Sequence, residues 1–219
     1  MSRILLVDDH SAIRQGIAQL LVSRGLFVEA VEASNGAEAL AHIERGPWAL
    51  VLLDISLPDM SGVEVLRRIK RRLPNLPVLV FSMYREDQYA VRALKAGAAG
   101  YLSKTANANE LTAALSQIAA GRKYVSASLA EALADYVSAD ADQLPHEKLS
   151  NREYQTLCML GSGKRLTDVA NVLSLSVKTV SVYRSRLLEK LGLSNNAELT
   201  YYVMRNHLVD LGANRTNAA

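Results

Sequence analysis

The stretch Ala49-Leu50-Val51-Leu52-Leu53-Asp54 decides how this chain folds. Its apolar residues run without alternation, the pattern of a strand buried on both faces, and the run stops abruptly at a carboxylate. Pro58 then forces a turn. A desolvated carboxylate has to be paired, metal-bound or protonated, so Asp54 must meet a partner at the end of its strand. The opening segment Arg3-Ile4-Leu5-Leu6-Val7-Asp8-Asp9 has the same form and ends in two acids side by side. Acids clustered at the ends of two strands point to a cation site.

Working outward, further aliphatic runs end near Ala33, at Ser82 and near Ser103, and helical periodicity fills residues 11–24, 36–45, 62–73, 86–96 and 109–120. In the first helix Ile13, Ile17, Leu20 and Leu21 share a face. Alternation of this kind predicts an α/β domain built on a doubly wound, five-stranded parallel sheet. Its crossovers put every strand's carboxyl end on one edge, where such folds bind ligands. Asp8, Asp9, Asp54, Ser82 and Lys104 all fall on that edge.

That set suits a phosphoryl acceptor. Mg2+ takes oxygen ligands and keeps several waters, so Asp9 and Asp54 are the expected metal residues, with Asp8 acting through water. Asp54 is the expected nucleophile, because a carboxylate can attack phosphorus while the metal and Lys104 neutralise the equatorial oxygens. Ser82 offers a hydroxyl to a phosphoryl oxygen, and Tyr101 is an amphipathic ring able to sit in or out. Taken singly, each residue has a plainer use. Asp9 and Ser11 could cap the following helix, Ser82 could start a turn, and Tyr101 could be an ordinary strand aromatic. Their joint placement at successive strand ends is what argues for a site.

The 219 residues lean towards two domains, and 49% of them are hydrophobic, enough for a core in each. No apolar run approaches the roughly 18 to 20 residues that span a bilayer, and no basic-then-apolar leader opens the chain, so a cytoplasmic location is expected, with no membrane partner. The lone cysteine, Cys158, sits among Leu157, Met159 and Leu160, a core setting, and the histidines are too scattered for a zinc site. The net charge of +3 hides a division. Residues 1–123 hold 15 basic and 12 acidic side chains, residues 124–144 none and 4, and residues 145–219 hold 10 and 6. Such a balance fits a nucleic-acid partner without establishing one.

Residues 126–137 are Ala-rich, with Leu129, Leu133 and Tyr136 on one stripe, and read as a short amphipathic helix. Residues 138–146 are acidic and Pro-punctuated without an apolar period, as linkers are. The expected division is a first domain over 1–122, a linker with a short helix over 123–147, a helical domain over 148–211 and a disordered tail over 212–219. In the helical domain, Ser150 and Glu153 make a capping-box pattern at the head of a helix over 149–160. A short helix over 167–173, a turn at Ser174-Leu175-Ser176 and a longer helix from Val177 to Leu191 then read as a helix-turn-helix. On the wheel Val177, Val180, Tyr183, Leu187 and Leu191 point inward, while Lys178, Ser181, Val182, Ser185, Arg186 and Glu189 point outward. A solvated face would accommodate the charges. Val182, set amid short polar and basic neighbours, suits instead a surface pressed into a DNA groove, where thymine methyls and base edges are met.

These residues also carry a resemblance. Leu6-Val7-Asp8-Asp9-His10, Leu53-Asp54-Ile55-Ser56-Leu57-Pro58-Asp59, Phe81-Ser82-Met83 and Lys95-Ala96-Gly97-Ala98-Ala99-Gly100-Tyr101-Leu102-Ser103-Lys104 resemble the CheY-like receiver domain of two-component response regulators, over about residues 2–122. Leu149-Ser150-Asn151-Arg152-Glu153, Thr167-Asp168-Val169-Ala170, Leu175-Ser176-Val177-Lys178-Thr179-Val180 and Leu188-Glu189-Lys190-Leu191-Gly192 are similar to the LuxR-type DNA-binding domain, over about residues 148–211. Joined, the two resemble the NarL/FixJ class. The resemblance implies a flavodoxin-like strand order and phosphorylation of Asp54 by a sensor histidine kinase or a small phosphodonor. It also implies Mg2+ at Asp8, Asp9 and Asp54, catalytic help from Lys104 and Ser82, and a switch made by Ser82 and Tyr101. For the output domain it implies that Lys178, Thr179, Ser181, Val182, Arg184, Ser185 and Arg186 meet double-stranded promoter DNA, and that a last helix over about 196–206 makes a homodimer contact. Such a chain regulates transcription and is no enzyme beyond catalysing its receiver's own phosphorylation and dephosphorylation.

Two other readings stay open at this point. The chain could be an interaction protein whose receiver accepts phosphate but whose output acts through a partner regulator rather than by binding DNA alone. The acids would equally permit a metal-dependent phosphotransferase for small substrates, although that leaves the second domain without a use.

Overall fold

The computed structural model describes residues 3–84, 86–126, 129–131, 133–134, 144–206 and 208–209, and the chain divides into two units, residues 1–140 and 141–219. In the first unit β1 (Arg3–Val7), β2 (Glu29–Ala33), β3 (Leu50–Leu53), β4 (Val78–Ser82) and β5 (Gly100–Ser103) form one parallel sheet in the order β2-β1-β3-β4-β5. Between and after them run α1 (Ser11–Ser23), α2 (Gly36–Ile43), α3 (Gly62–Arg72), α4 (Glu86–Lys95) and α5 (Ala108–Ala119). The doubly wound sheet is therefore the expected one. Strand order reverses at the β1/β3 junction, and there Val7 pairs with Leu53, so the residues that follow both strands, Asp8 and Asp54, emerge side by side.

The burial pattern explains why the apolar runs are unbroken in the middle of the sheet and interrupted at its edge. β3 and β4 are buried along their whole length, whereas the edge strand β2 is partly exposed. Alternate residues serve opposite faces. Ile4, Leu6, Leu50, Leu52, Leu79, Phe81 and Leu102 pack with Ile17 and Leu21 of α1 and Leu111, Leu115 and Ile118 of α5. Each such side chain contributes about 1.5–3 kcal/mol on leaving water. Helix starts are set by local acceptors: the side chain of Asn35 accepts from the Glu38 amide, and Asn107 and Glu110 cap α5 reciprocally.

The stretch expected as linker is packed at both described ends. Tyr124 donates its amide to the carbonyl of Ala99 and bridges to Gly100, whose missing side chain leaves room for the Tyr124 backbone. At the other end Pro145–Lys148 form a 3-10 turn, with His146 buried and its Nδ1 at 3.0 Å from the Tyr202 hydroxyl. Residues 129–131 and 133–134 are helical, while the remainder of the expected linker over 135–143 and the expected tail over 212–219 lie outside the described residues. No described helix is long and apolar enough to cross a membrane.

The second unit holds α6 (Asn151–Gly161), α7 (Leu166–Val172), α8 (Val177–Leu191) and α9 (Asn196–Arg205). Its turn between α7 and α8 puts Ser174 at φ 53°, and the Leu175 amide reaches back to the Ala170 carbonyl, which ends α7 sharply. Gly192, at φ 66°, closes α8 the same way. The inward face of α8 departs from the wheel in one respect. Val180 and Leu187 are fully buried, but Val177 is 44% exposed and Leu188 is buried instead. Val177 has a suitable angle, yet it lies in the first turn of α8, and an angle on the wheel says nothing of position along the axis.

The expected capping box is present and does more than cap. Glu153 Oε2 accepts from the Ser150 amide at 2.8 Å, and the same carboxylate takes Lys190 Nζ of α8 at 2.7 Å, joining α6 to α8. Burial works to raise the pKa of Glu153, but the bonds from Lys190 and Ser150 outweigh it and hold the carboxyl below its ordinary value of 4.5. A lowered carboxylate stabilises the fold above its unfolded pKa and loses that contribution as pH falls through the folded one. Glu153→Gln should therefore cost the second unit about 1 kcal/mol at neutral pH, discounted because Lys190 is half exposed. In urea unfolding the gap between variant and wild type should close as pH drops below 4.5; a gap independent of pH would mean the charge contributes nothing.

Candidate functional site

Asp8 follows β1 and Asp54 follows β3, and both carboxylates are buried. The peptide amide of Asp54 donates to the Val7 carbonyl, so the acid is placed by continuation of the sheet. Lys104, one residue beyond β5, brings its Nζ to 2.6 Å from Asp8 Oδ2 and 2.7 Å from Asp54 Oδ2, with its own side chain only 3% exposed. Ser56 donates its amide to Asp54 Oδ1 at 3.2 Å, and His10 donates its amide to Asp8 Oδ1 at 2.9 Å. Asp9 is more open and lies 2.7 Å from His10 Nδ1. Donor atoms of Asp8, Asp9, His10 and Asp54 all lie within 4.8 Å of one another.

The charges do not balance. Among the described residues one ammonium, that of Lys104, meets the buried carboxylates of Asp8 and Asp54, with Asp9 close by, and Arg14, whose guanidinium donates to the Asp8 carbonyl, is already paired with Glu32 at 2.8 Å. Burial, and the neighbouring Asp8, push the Asp54 carboxyl up despite the opposing pull of Lys104. For Lys104 burial acts downward, but the two carboxylates win and its ammonium is held above the ordinary value. A buried pair of acids sharing one cation has capacity for a second, and carboxylate oxygens are the donors that a hard divalent ion prefers.

Ser82 and Tyr101 converge on the backbone of Tyr84. Ser82 Oγ, fully buried at the end of β4, accepts from the Tyr84 amide at 3.4 Å. The Tyr101 hydroxyl donates to the Tyr84 carbonyl at 2.8 Å, with the Tyr101 ring wholly inside. Tyr84 in turn stacks on Tyr89 of α4 at 4.4 Å.

On α8 the outward residues divide into exposed and engaged. Lys178, Val182, Ser185 and Arg186 are exposed. Thr179 and Ser181 are half-buried, and Thr179 Oγ1 shares a hydrogen bond with the N-cap Ser176 at 2.8 Å. Arg184 is drawn sideways, its Nε donating to Asn196 Oδ1 at 2.6 Å, and Ser185 returns its hydroxyl to the Ser181 carbonyl.

Comparison with known proteins decides the family. The model for the response regulator receiver domain matches residues 4–116, and that for bacterial regulatory proteins of the luxR family matches residues 147–203. Response regulator GacA of Pseudomonas protegens is 35% identical over 96% of this chain and 99% of its own. The chain belongs to the response regulators. Response regulator UvrY of Escherichia coli is 33% identical over 95% of this chain and 96% of its own. Among solved structures, RcsB from Salmonella enterica serovar Typhimurium, bound to promoter rprA in the presence of the phosphomimetic BeF3-, has a TM-score of 0.59 at 22% identity, covering 93% of this chain and 99% of that one, a likeness of fold.

Several groups around this response regulator's acidic cluster were not singled out by the sequence patterns. His10 bridges toward two acids, and Tyr84 is held from both sides. Asp59 reaches across to the amides of Gly36 and Ala37, bonds that overcome burial and lower its pKa. Gly62 is the most constrained: a Cβ there would lie 1.9 Å from the Asp54 carbonyl oxygen. Only its place at the head of α3, soon after the acceptor turn, hinted at this. Gly62→Ala should destabilise the receiver by roughly 1–3 kcal/mol, because backbone rather than a flexible side chain must move. Gly16→Ala, with nothing within 4 Å, is the control. It should be neutral or stabilising by up to about 1 kcal/mol. Equal urea midpoints for the two variants would refute the close approach.

Proposed function

We propose that this response regulator is a phosphorylation-controlled transcription factor, with Asp54 as the phosphoryl acceptor, and the observation that carries the reading is the charge-deficient pair of buried acids bridged by Lys104. An Asp54 oxygen attacks the phosphorus of a phosphohistidine on a sensor histidine kinase, or of a small acyl phosphate. The Asp54 oxygen–phosphorus bond forms as the donor's bond to phosphorus breaks, and the leaving group departs with the electron pair. Lys104, already 2.7 Å from Asp54 Oδ2, moves its charge onto a phosphoryl oxygen, and Asp8, Asp9 and Asp54 are the residues that would hold Mg2+. Bound there, the ion supplies fixed positive charge beside the phosphoryl oxygens. Ser82 reorients its hydroxyl toward the phosphoryl group, loosening Tyr84, and Tyr101 transmits the change. The same machinery lets water return the receiver to its resting state, so catalysis is confined to the protein's own phosphorylation and dephosphorylation. The output is DNA binding by α8 in a homodimer, in the cytoplasm; the promoter-bound state of the RcsB neighbour supports the DNA-binding part of this reading.

Acetyl phosphate with Mg2+ should label wild-type protein on a hydroxylamine-sensitive site and leave Asp54→Asn unlabelled. EDTA should abolish the labelling, and retained label on the variant would sink the assignment.

On the output side, Lys178 and Arg186 are placed to meet phosphates, a sequence-blind contact, while Ser181, Val182 and Ser185 lie where base edges would be. Arg186→Gln should weaken all duplexes alike and make the slope of log affinity against log salt shallower by about 0.9. Val182→Ala should leave that slope alone and relax preference at one base pair in each half-site, by on the order of 1 kcal/mol. Half-sites about one helical turn apart would reflect the two-fold dimer. A Val182→Ala protein with unchanged preference would mean that this face is merely solvated.

A further inference from the structure

We propose that a basic hollow between α3 and α4 of the receiver is a second phosphate-contacting surface, one that takes the backbone of duplex DNA. The run Arg67-Arg68-Ile69-Lys70-Arg71-Arg72 buries Ile69 in the domain and turns its cations outward. Some are already engaged. Arg68 pairs with Glu64 at 3.0 Å, Arg72 with Glu44 at 2.8 Å, and Lys70 Nζ donates to the carbonyls of Pro74 and Leu76. Arg67 has no ion-pair partner among the described residues, and Arg71 reaches Glu64 only at 3.9 Å. Together with Glu64, Lys70, Lys95 and Ala96, these two guanidinium groups line a hollow of about 560 Å³. Burial, and then the charge of Lys123, depress the Lys70 ammonium, whose Nζ is already taken by the two carbonyls.

Chemistry selects the occupant. Glu64, the one acid among the described lining residues, is already shared between Arg68 and Arg71, and the other charged groups of the lining are cations, so the hollow attracts anions. Arg67 and Arg71, four residues apart, stack on one helix face about 6 Å apart along the axis, two planar forks suited to phosphate oxygens. Insertion into a lipid surface would need exposed apolar side chains to bury, and the lining offers only Ala96. The inference goes beyond the reading of α8 and rests on it in one respect: DNA bound by the output domain keeps duplex phosphates near the receiver joined to it in the same chain.

The test uses the full chain and a fluorescein-labelled duplex of random sequence, with anisotropy titrations across a salt series. Arg67→Gln/Arg71→Gln should make the log–log salt slope shallower by about 1.8, two phosphate contacts at 0.9 each, with base preference and Asp54 labelling unchanged. Arg67→Lys/Arg71→Lys, which keeps the charge, should restore most of the slope. If the Gln pair leaves the slope untouched while Lys178→Gln/Arg186→Gln lowers it, the hollow is only solvated and the α8 reading stands. If neither pair matters, both readings fall. Loss of binding to phosphatidylglycerol vesicles with duplex binding intact would likewise overturn the proposal in favour of a membrane surface.

Discussion

One ammonium group holds the receiver's working edge together. Lys104 sits between Asp8 and Asp54, and without it two buried carboxylates would face each other at the ends of the two central strands. Taking away one partner of a buried ion pair is far more costly than the pair is favourable, because it leaves an uncompensated charge. The register of the sheet is thus tied to the chemistry: Val7 against Leu53 sets the acids level, and the β4–β5 pairing that ends at Ser82 and Ser103 delivers the lysine. That arrangement is stable while still short of positive charge, which is the condition the proposed phosphoryl acceptor needs.

The distance between this edge and the fourth helix is bridged by one residue's backbone. Tyr84 is gripped at its amide by Ser82 and at its carbonyl by Tyr101, and its ring lies on Tyr89. The Ser82 bond, at 3.4 Å, is the longer of the two and the easier to exchange for another acceptor. In the proposed switch, a competing partner for the Ser82 hydroxyl releases its bond to the Tyr84 amide, and the fully buried Tyr101 ring has to be accommodated at the same time. A packed interior favours two discrete arrangements over a continuum, which is what a switch requires.

Much of this was legible in the residues themselves. Unbroken aliphatic runs ending in acid placed Asp8 and Asp54 on one edge, and the Ser150/Glu153 pattern located the head of α6. What escaped has a common physical cause: contacts that join segments far apart in sequence leave no local periodicity. Asp59 capping the amides of Gly36 and Ala37, Gly62 lying on the Asp54 carbonyl and Arg184 turned to Asn196 are of this kind. Val177 failed for a different reason, since a helical wheel projects away the coordinate along the axis that decides whether a packing partner is still alongside. Tyr124, held through its amide at the Ala99 carbonyl, and His146, held through its ring at the Tyr202 hydroxyl, are further contacts of this long-range kind.

The two margins of the sheet bear on how copies of the receiver can meet. β2 is short, and its Glu29 and Glu32 are held in ion pairs with Arg3 and Arg14, so charge lines the strand that would otherwise offer free peptide groups. At the opposite margin the Tyr124 backbone lies against the start of β5. Neither side is a good template for a foreign strand. Self-association by extending the sheet, the route toward runaway polymers, is discouraged from both directions, and pairing that stops at two copies is left to the helical surfaces.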